Sequence, residues 1–188
     1  MKTLISALLL SLLLSPAFAK DVNPDNLLLI DLKSGRVQIE MLPEIAPNHV
    51  AQVKTLAAQG FYNNLEWFRV IEGFIAQTGY PKGSKGKSKL PDLKAEFSNY
   101  KFRRGTVGMG HGDDINSANS QFFICLSDAQ CADLTGKYTA WGQVVSGMEN
   151  IDKIAVGTPP ARPDKVLKLR LASDQSAASR KAISAGNE

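Results

Sequence analysis

The chain has 188 residues, of which 44% are apolar and 21% are charged, and its formal net charge is +4. This composition excludes a disordered protein, a collagen-like fibre and a protein that crosses a membrane many times. Two cysteines are too few for a small fold built on disulfides. We therefore expect one globular domain around one hydrophobic core.

The first residues have the pattern of a secretory signal peptide. Lys2 precedes an apolar run over residues 4–14, and the Ala-Phe-Ala of residues 17–19 supplies a small-residue cleavage site. The alternative is a retained membrane anchor, but the run is shorter than the roughly 20 residues that a spanning helix needs. We therefore predict a cleaved signal peptide over residues 1–19 and export of the mature chain.

Eight segments have the alternating polarity or the apolar composition of strands. In chain order they are Leu27–Leu32, Arg36–Met41, Trp67–Ile71, Phe74–Thr78, Thr106–Met109, Gln121–Leu126, Thr139–Val145 and Val166–Leu171. Helical spacing occurs twice, over Asn48–Gln59 and Met148–Ala155.

Turns and loops, and no regular crossover helices, connect the predicted strands. This favours an antiparallel sheet over a doubly wound α/β fold. We predict a mainly β fold, a closed eight-stranded antiparallel barrel with two helices, over residues 20–172. From residue 173 to residue 188, Ala, Ser and charged residues dominate, and we predict a flexible tail.

Export changes what the two cysteines, Cys125 and Cys131, can do. Outside the cytosol they can form a disulfide. However, Cys125 lies in the apolar run over residues 122–126, where a buried free thiol would behave as a small hydrophobe. The spacing alone leaves both states open.

Several familiar catalytic and ligand-binding patterns are incomplete. The His-Gly-Asp-Asp of residues 111–114 lies in one loop without a supporting pair of metal ligands. A Cys–His pair of Cys125 with His49 or His111 has no evident residue to orient it. The basic run Lys82–Lys89 has no interleaved aromatic residue, which favours a solvated loop over a nucleic-acid site. We expect neither a metal nor a cofactor.

Three polar side chains interrupt otherwise apolar strands. Arg69 stands within residues 67–71, and Gln77 and Gln121 lie close to phenylalanines. A guanidinium that is even half-buried needs hydrogen-bond partners. The three polar residues and their aromatic neighbours could therefore line one apolar patch. An ion pair or polar network inside the barrel is an alternative that the spacing does not exclude.

Four short blocks follow one another along the chain, at Trp67–Gln77, Gly105–Met109, Ser120–Ile124 and Leu134–Tyr138. Together they resemble the cyclophilin-type peptidyl-prolyl cis-trans isomerases. The first block is similar to the family's Phe-His-Arg-(Ile/Val)-Ile-x-Gly-Phe-x-x-Gln signature, the third to its Ser-Gln-Phe-Phe-Ile block, and the fourth to its Leu-(Asp/Asn)-Gly-Lys-(His/Tyr) block. The resemblance extends from about Leu28 to Leu171. With the signal peptide, it points to the exported, periplasmic bacterial branch.

The resemblance implies that the chain isomerises X-Pro peptide bonds and thereby assists the folding of exported proteins. It implies catalytic roles for Arg69 and Gln77. It also implies a substrate-binding set of Phe74, Ile75, His111, Gln121, Phe123, Leu134 and Tyr138. The expected partners are proline-containing polypeptides, with no nucleic acid and no membrane after signal cleavage, and we expect a monomer.

The chain departs from the family pattern at several positions. Phe68, Thr78 and Tyr80 stand where the family usually has His, Gly and Asp. These changes leave room for a second hypothesis, a binding module or chaperone that holds proline-containing segments with little catalysis. Asp133 occupies the place of a Trp with which eukaryotic members contact the inhibitor cyclosporin, so we predict that cyclosporin binds weakly.

Overall fold

A computed structural model describes residues 22–83 and 86–174 of the chain. The predicted signal peptide lies outside these residues, and of the predicted tail only Ser173 and Asp174 lie within them. Within the two described ranges, no helix combines the length and the apolar character needed to cross a membrane.

Eight strands are present, each within or close to a segment predicted from the sequence. They are β1 Leu27–Leu32, β2 Gly35–Met41, β3 Arg69–Ile71, β4 Ile75–Thr78, β5 Thr106–Met109, β6 Phe122–Cys125, β7 Ala140–Ser146 and β8 Lys168–Leu171. They form one antiparallel sheet in the order β3-β4-β6-β5-β7-β2-β1-β8.

The sheet is open, so the prediction of a closed barrel is wrong. Its two edges are β3 and β8, and no ladder joins them. The irregular segment 155–167 lies between these edges, where Val70 and Gly157 exchange backbone hydrogen bonds of 2.8 and 2.9 Å. Three of its residues are prolines, which lack the N–H that a regular ladder requires.

The main core lies on one face of this curved sheet, and Phe122 stands at its aromatic centre. The Phe122 ring packs edge to face against Tyr62, Trp67 and Trp141, with centroid distances of 5.4, 6.2 and 5.6 Å. All four side chains are fully buried. Such edge-to-face packing adds to the stabilisation from burial alone.

The first predicted helix is confirmed as α1, Pro47–Ala58, and its beginning is tied to a distant loop. Ala46, which precedes the helix, provides no capping side chain. Glu96 takes that role, because its carboxylate accepts hydrogen bonds from the backbone N–H groups of Asn48 and His49, at 3.1 and 3.0 Å. Glu96 thereby fastens the long loop between β4 and β5 to the helix.

Asn119, a buried side chain, holds the long polar stretch that follows β4 together with Gln52. Its Oδ1 accepts hydrogen bonds from the backbone N–H and the hydroxyl of Ser88, both at 2.7 Å. Its Nδ2 donates to the carbonyl oxygen of Leu90 at 2.8 Å, while Gln52 Nε2 donates to that of Pro91 at 3.1 Å. These bonds satisfy loop carbonyls next to the core.

The remaining helices are short. α2, Asp128–Cys131, continues into a 3-10 turn at Ala132–Leu134 and was not predicted, because four residues show no helical periodicity. α3, Met148–Ile151, begins where the second predicted helix begins but comprises only one turn. A further 3-10 turn, Pro24–Asn26, precedes β1.

A disulfide joins Cys125, at the end of β6, to Cys131, at the end of α2. The two Cα atoms are 6.1 Å apart, and both side chains are fully buried. The bridge therefore ties the turn that ends at Leu134 to the strand that carries Phe123.

Candidate active site

Neighbouring strands at one end of the sheet place polar and aromatic side chains around one cavity of about 290 Å³. The register sets Arg69 of β3 opposite Gln77 of β4, and Gln77 opposite Phe123 of β6. The residues that line the cavity are Phe68, Arg69, Phe74, Ile75, Gln77, Gly110, His111, Phe123, Leu134 and Tyr138. The structure thus brings together every residue predicted for catalysis or substrate binding, apart from Gln121, whose place is beside the cavity.

Side-chain hydrogen bonds connect the polar residues in a row. Arg69 Nη1 donates to Gln77 Oε1 at 3.1 Å, and Gln77 Nε2 donates to Gln121 Oε1 at 3.2 Å. Gln121 Nε2 then donates to the carbonyl oxygen of Gly86 at 3.0 Å. Among the residues that the structure describes, Gln77 is the side-chain partner of the guanidinium, so its other N–H groups can donate to a ligand in the cavity.

Phe123 forms the apolar floor of the cavity. Its ring is perpendicular to Tyr138 at a centroid distance of 5.5 Å and stacks on Phe102 behind it at 5.9 Å. Gly108 makes this packing possible, because a Cβ there would lie 2.5 Å from the Phe123 ring and 2.7 Å from the Phe102 ring. Any larger residue at position 108 would displace the floor.

His111 and Tyr138 form the far wall of the cavity as a stacked pair. Their ring centroids are 4.5 Å apart, with an angle of 24° between the planes. The imidazole nitrogens lie 2.7 Å from the carbonyl oxygen of Gly112 and 3.1 Å from that of Lys137. Because carbonyl oxygens only accept, whichever ring nitrogen carries a proton donates there. The stacking of His111 on Tyr138 connects the loop after β5 to the loop that carries Tyr138 in either tautomer.

The sequence model of the family "cyclophilin type peptidyl-prolyl cis-trans isomerase/CLD" matches residues 27–171. This range contains all eight strands and every residue of the cavity. The chain belongs to this family. It is a cyclophilin-type peptidyl-prolyl cis-trans isomerase, an enzyme of class EC 5.2.1.8.

Named relatives agree with this assignment. A probable peptidyl-prolyl cis-trans isomerase of Brucella suis is 43% identical, with 83% of this chain and 87% of the relative covered. A peptidyl-prolyl cis-trans isomerase of Helicobacter pylori is 36% identical, with 68% of this chain and 79% of the relative covered.

Solved structures agree as well. A cyclophilin from Hirschia baltica superimposes with a TM-score of 0.72 at 28% identity, covering 81% of this chain and 76% of its own. A cyclophilin-type isomerase from Cryptosporidium parvum, crystallised in the presence of the dipeptide Ala-Pro, superimposes with a TM-score of 0.70 at 25% identity. That match covers 77% of this chain and 98% of the other.

Phe68 is a wall residue of this cyclophilin that sequence reasoning missed. Phe68 lies directly before β3, and the folded structure brings its ring into the cavity lining beside Arg69. A signal was present, since Phe68 stands where the family usually has a His. Its neighbour across the surface is Tyr80, at a ring centroid distance of 5.3 Å.

The sequence did not exclude an ion pair of Arg69, and it places possible metal-ligand side chains in the loop over residues 111–114. Among the described residues, no carboxylate pairs with Arg69, whose side-chain partner is Gln77. No group of three or more His, Cys, Asp or Glu side chains able to hold a metal occurs in that same part of the chain. Asp133 is exposed in its 3-10 turn, beyond the cavity lining, and its effect on cyclosporin stays a prediction.

Proposed function

We propose that this cyclophilin isomerises X-Pro bonds in polypeptides exported to the periplasm, with Arg69 as the catalytic residue. The observation that supports this most directly is the hydrogen bond from Arg69 to Gln77 beside a cavity of about 290 Å³ that has both polar and apolar walls. The signal-peptide pattern of residues 1–19 supports the location.

The chemistry requires loss of amide resonance and no change in covalent bonds. Rotation about a peptide bond has a barrier of about 18–20 kcal/mol, because the nitrogen lone pair is delocalised onto the carbonyl. At the twisted transition state the prolyl nitrogen recovers that lone pair and becomes a hydrogen-bond acceptor. A donor aimed at this nitrogen is stronger in the transition state than in the planar ground state, which is the condition for lowering the barrier.

Arg69 is suited to be that donor. Gln77 occupies one N–H of the guanidinium and fixes its plane, so the remaining N–H groups need little reorganisation when the substrate twists. The planar guanidinium presents its N–H donors in a fixed fork, which suits it to donate to an acceptor that forms only as the bond twists. Arg69 is half-buried beside apolar walls, where a hydrogen bond is stronger than in water.

The apolar part of the cavity is suited to a proline ring. Phe123 is 3% exposed and Ile75 is 3% exposed, and with Phe74 and Leu134 they present carbon atoms to the cavity. A ring held there would keep the proline fixed while the preceding carbonyl rotates. The same walls exclude water, which would otherwise stabilise the planar, charge-separated amide.

Exchange spectroscopy by NMR on a peptide with one X-Pro bond tests this proposal. We expect the mature protein to raise the exchange rate between the cis and trans peptide signals, and we expect Arg69→Ala to lose most of that effect. No acceleration by the folded wild-type protein would overturn the proposal. Fractionation of cells carrying the full chain, compared with a chain lacking residues 1–19, tests the periplasmic location.

A binding module with little catalysis is the second candidate. Phe68 and Tyr80, two departures from the family pattern, form an aromatic pair next to the cavity. This surface could hold a proline-containing segment without isomerising it. Peptide binding by wild-type protein that produces no NMR exchange would favour this candidate over the enzyme.

A further inference from the structure

A second and larger cavity lies on the other side of Phe68. Its volume is about 830 Å³, against about 290 Å³ for the cavity beside Arg69, and Phe68 lines both. We call the larger cavity the distal groove. The distal groove therefore adjoins the active site, with the Phe68 ring shared between them.

The distal groove has an apolar lining and a charged rim. Leu65, Tyr80, Pro159 and Pro163 line it together with Phe68, and Tyr80 remains 40% exposed. At the rim, Lys82 Nζ lies 2.9 Å from Glu66 Oε1. An aromatic surface that remains accessible beside an active site is typical of a binding surface.

The backbone around the distal groove is fixed by hydrogen bonds. Trp67 N donates to the carbonyl oxygen of Asp164 at 2.9 Å, and Thr78 Oγ1 donates to that of Glu66 at 2.9 Å. Val166 N donates to the carbonyl oxygen of Leu65 at 2.9 Å. The groove is thus preformed, and a ligand would not have to order its walls.

Packing connects the groove to the polar row of the active site. A Cβ on Gly86 would lie 2.3 Å from the Tyr80 ring, so the Gly86 backbone rests directly on that ring. The Gly86 carbonyl oxygen is the acceptor for Gln121, which contacts Gln77. Contacts on Tyr80 can therefore reach the residues that hold Arg69.

We propose that the distal groove binds an apolar side chain, best an aromatic one, of the same polypeptide whose X-Pro bond occupies the active site. This inference rests on the proposed function, since it extends the substrate beyond the proline. An extended chain rises about 3.3 Å per residue, so positions two to four from the proline sample distances of about 7 to 13 Å on either side of it. Enclosure by Phe68, Tyr80 and the two prolines suits a flat ring better than a branched aliphatic chain.

The test uses peptides of equal length with one X-Pro bond, carrying Trp or Ala two, three or four positions before or after the proline. We expect one Trp position to raise kcat/KM over its Ala counterpart by at least about fivefold, which corresponds to partial burial of one aromatic side chain. Amide signals of Leu65 and Lys165 should shift in NMR spectra only with that Trp peptide.

Two variants decide where the preference comes from. Tyr80→Ala removes an aromatic wall of the groove, and Thr158→Trp fills the groove with a new side chain. In both variants the ratio of kcat/KM between the Trp and Ala peptides should fall to about one. Leu167→Ala is the matched control, because Leu167 is an apolar side chain that is 50% exposed and does not line the groove. Its ratio should equal that of the wild type.

Failure of this inference differs from failure of the proposed function. Equal turnover of all Trp and Ala peptides by an active enzyme overturns the inference and leaves the isomerase intact. Sedimentation that shows a second copy of the chain covering the groove would also overturn it. Absence of turnover with every peptide would overturn the proposed function itself.

Discussion

Arg69 and Gln77 are direct partners in the antiparallel register of β3 and β4, and a hydrogen bond of 3.1 Å joins Nη1 to Oε1. The position of the guanidinium is therefore set by strand pairing. The bond also separates the two proposed roles, in which Arg69 would contact the substrate and Gln77 would hold Arg69 in place.

Replacing Arg69 should reduce catalysis without unfolding the protein. Arg69→Ala removes the donor to the prolyl nitrogen, and we expect kcat/KM to fall by about 100-fold or more. Arg69→Lys should recover only a part, because a single ammonium lacks the planar fork. Arg103→Ala, at an exposed position, controls for the loss of one positive charge. Turnover near that of the wild type in Arg69→Ala would contradict the assigned role.

Gln77→Leu should lower kcat with little change in KM. The substitution removes one hydrogen bond to the guanidinium, worth about 1 kcal/mol, so we expect about a fivefold loss of kcat. Gln77→Glu keeps an acceptor for Arg69 and should retain more activity than Gln77→Leu. Equal activity of the two variants would contradict the positioning role. Thermal unfolding of both variants checks that neither loss of activity comes from loss of the folded state.

Phe122 and Phe123 are neighbours in β6 that point to opposite faces of the sheet. Phe122→Ala should lower the free energy of unfolding by about 3–5 kcal/mol, because its ring is fully buried among three other aromatic rings. Phe123→Ala should lose less stability and raise KM by about tenfold, because it removes the floor of the cavity. Urea unfolding and steady-state kinetics measure both quantities. A larger loss of stability in Phe123→Ala, or a larger rise of KM in Phe122→Ala, would contradict this prediction.

Reduction of the disulfide between Cys125 and Cys131 should destabilise the protein modestly. The bridge closes a loop over a sequence separation of 6, and a loop of this length is expected to contribute about 2 kcal/mol. Thermal unfolding with and without a phosphine reductant measures the difference. The double variant with Cys125→Ala and Cys131→Ala should unfold at the same temperature in both buffers, and sensitivity of that variant would point to another cause.

Acidification should weaken the contact between α1 and the long loop. His49 is fully buried with its Nδ1 2.6 Å from Glu96 Oε2, and its Nε2 has no partner in the described part of the chain. Burial lowers the pKa of His49 more than the nearby carboxylate raises it. Burial raises the pKa of Glu96, but hydrogen bonds from His49 and Asn48 outweigh it, so that pKa lies below its ordinary value.

Both shifts act in the same direction. The unfolded chain binds a proton at His49 near pH 6.5, whereas the folded protein does so only at lower pH, so stability is complete above pH 6.5 and falls below it. Glu96 adds a further loss below pH 4.5. Urea unfolding between pH 7.5 and pH 5 should show a decline that His49→Gln flattens, and equal slopes for the two proteins would refute this assignment.

The sequence predicted the strands and the residues of the cavity because both depend on local patterns. Alternation and apolar runs located β1 to β8, and the family blocks located Arg69 and Phe123. Closure of the sheet was predicted wrongly, because it depends on the contact between Val70 and Gly157, which are far apart in the chain. The wall formed by Phe68 was missed because this residue lies outside the regular strand β3, and only the tertiary structure places its ring in the cavity.

The open edge of the sheet has a further consequence. Since β3 carries Arg69 and is flanked on its outer side by the irregular segment 155–167, the strand of the proposed catalytic residue borders a stretch of chain that contributes isolated bridges and no regular ladder. Substitutions there offer a way to alter which clients this cyclophilin prefers while the chemistry at the proline stays the same.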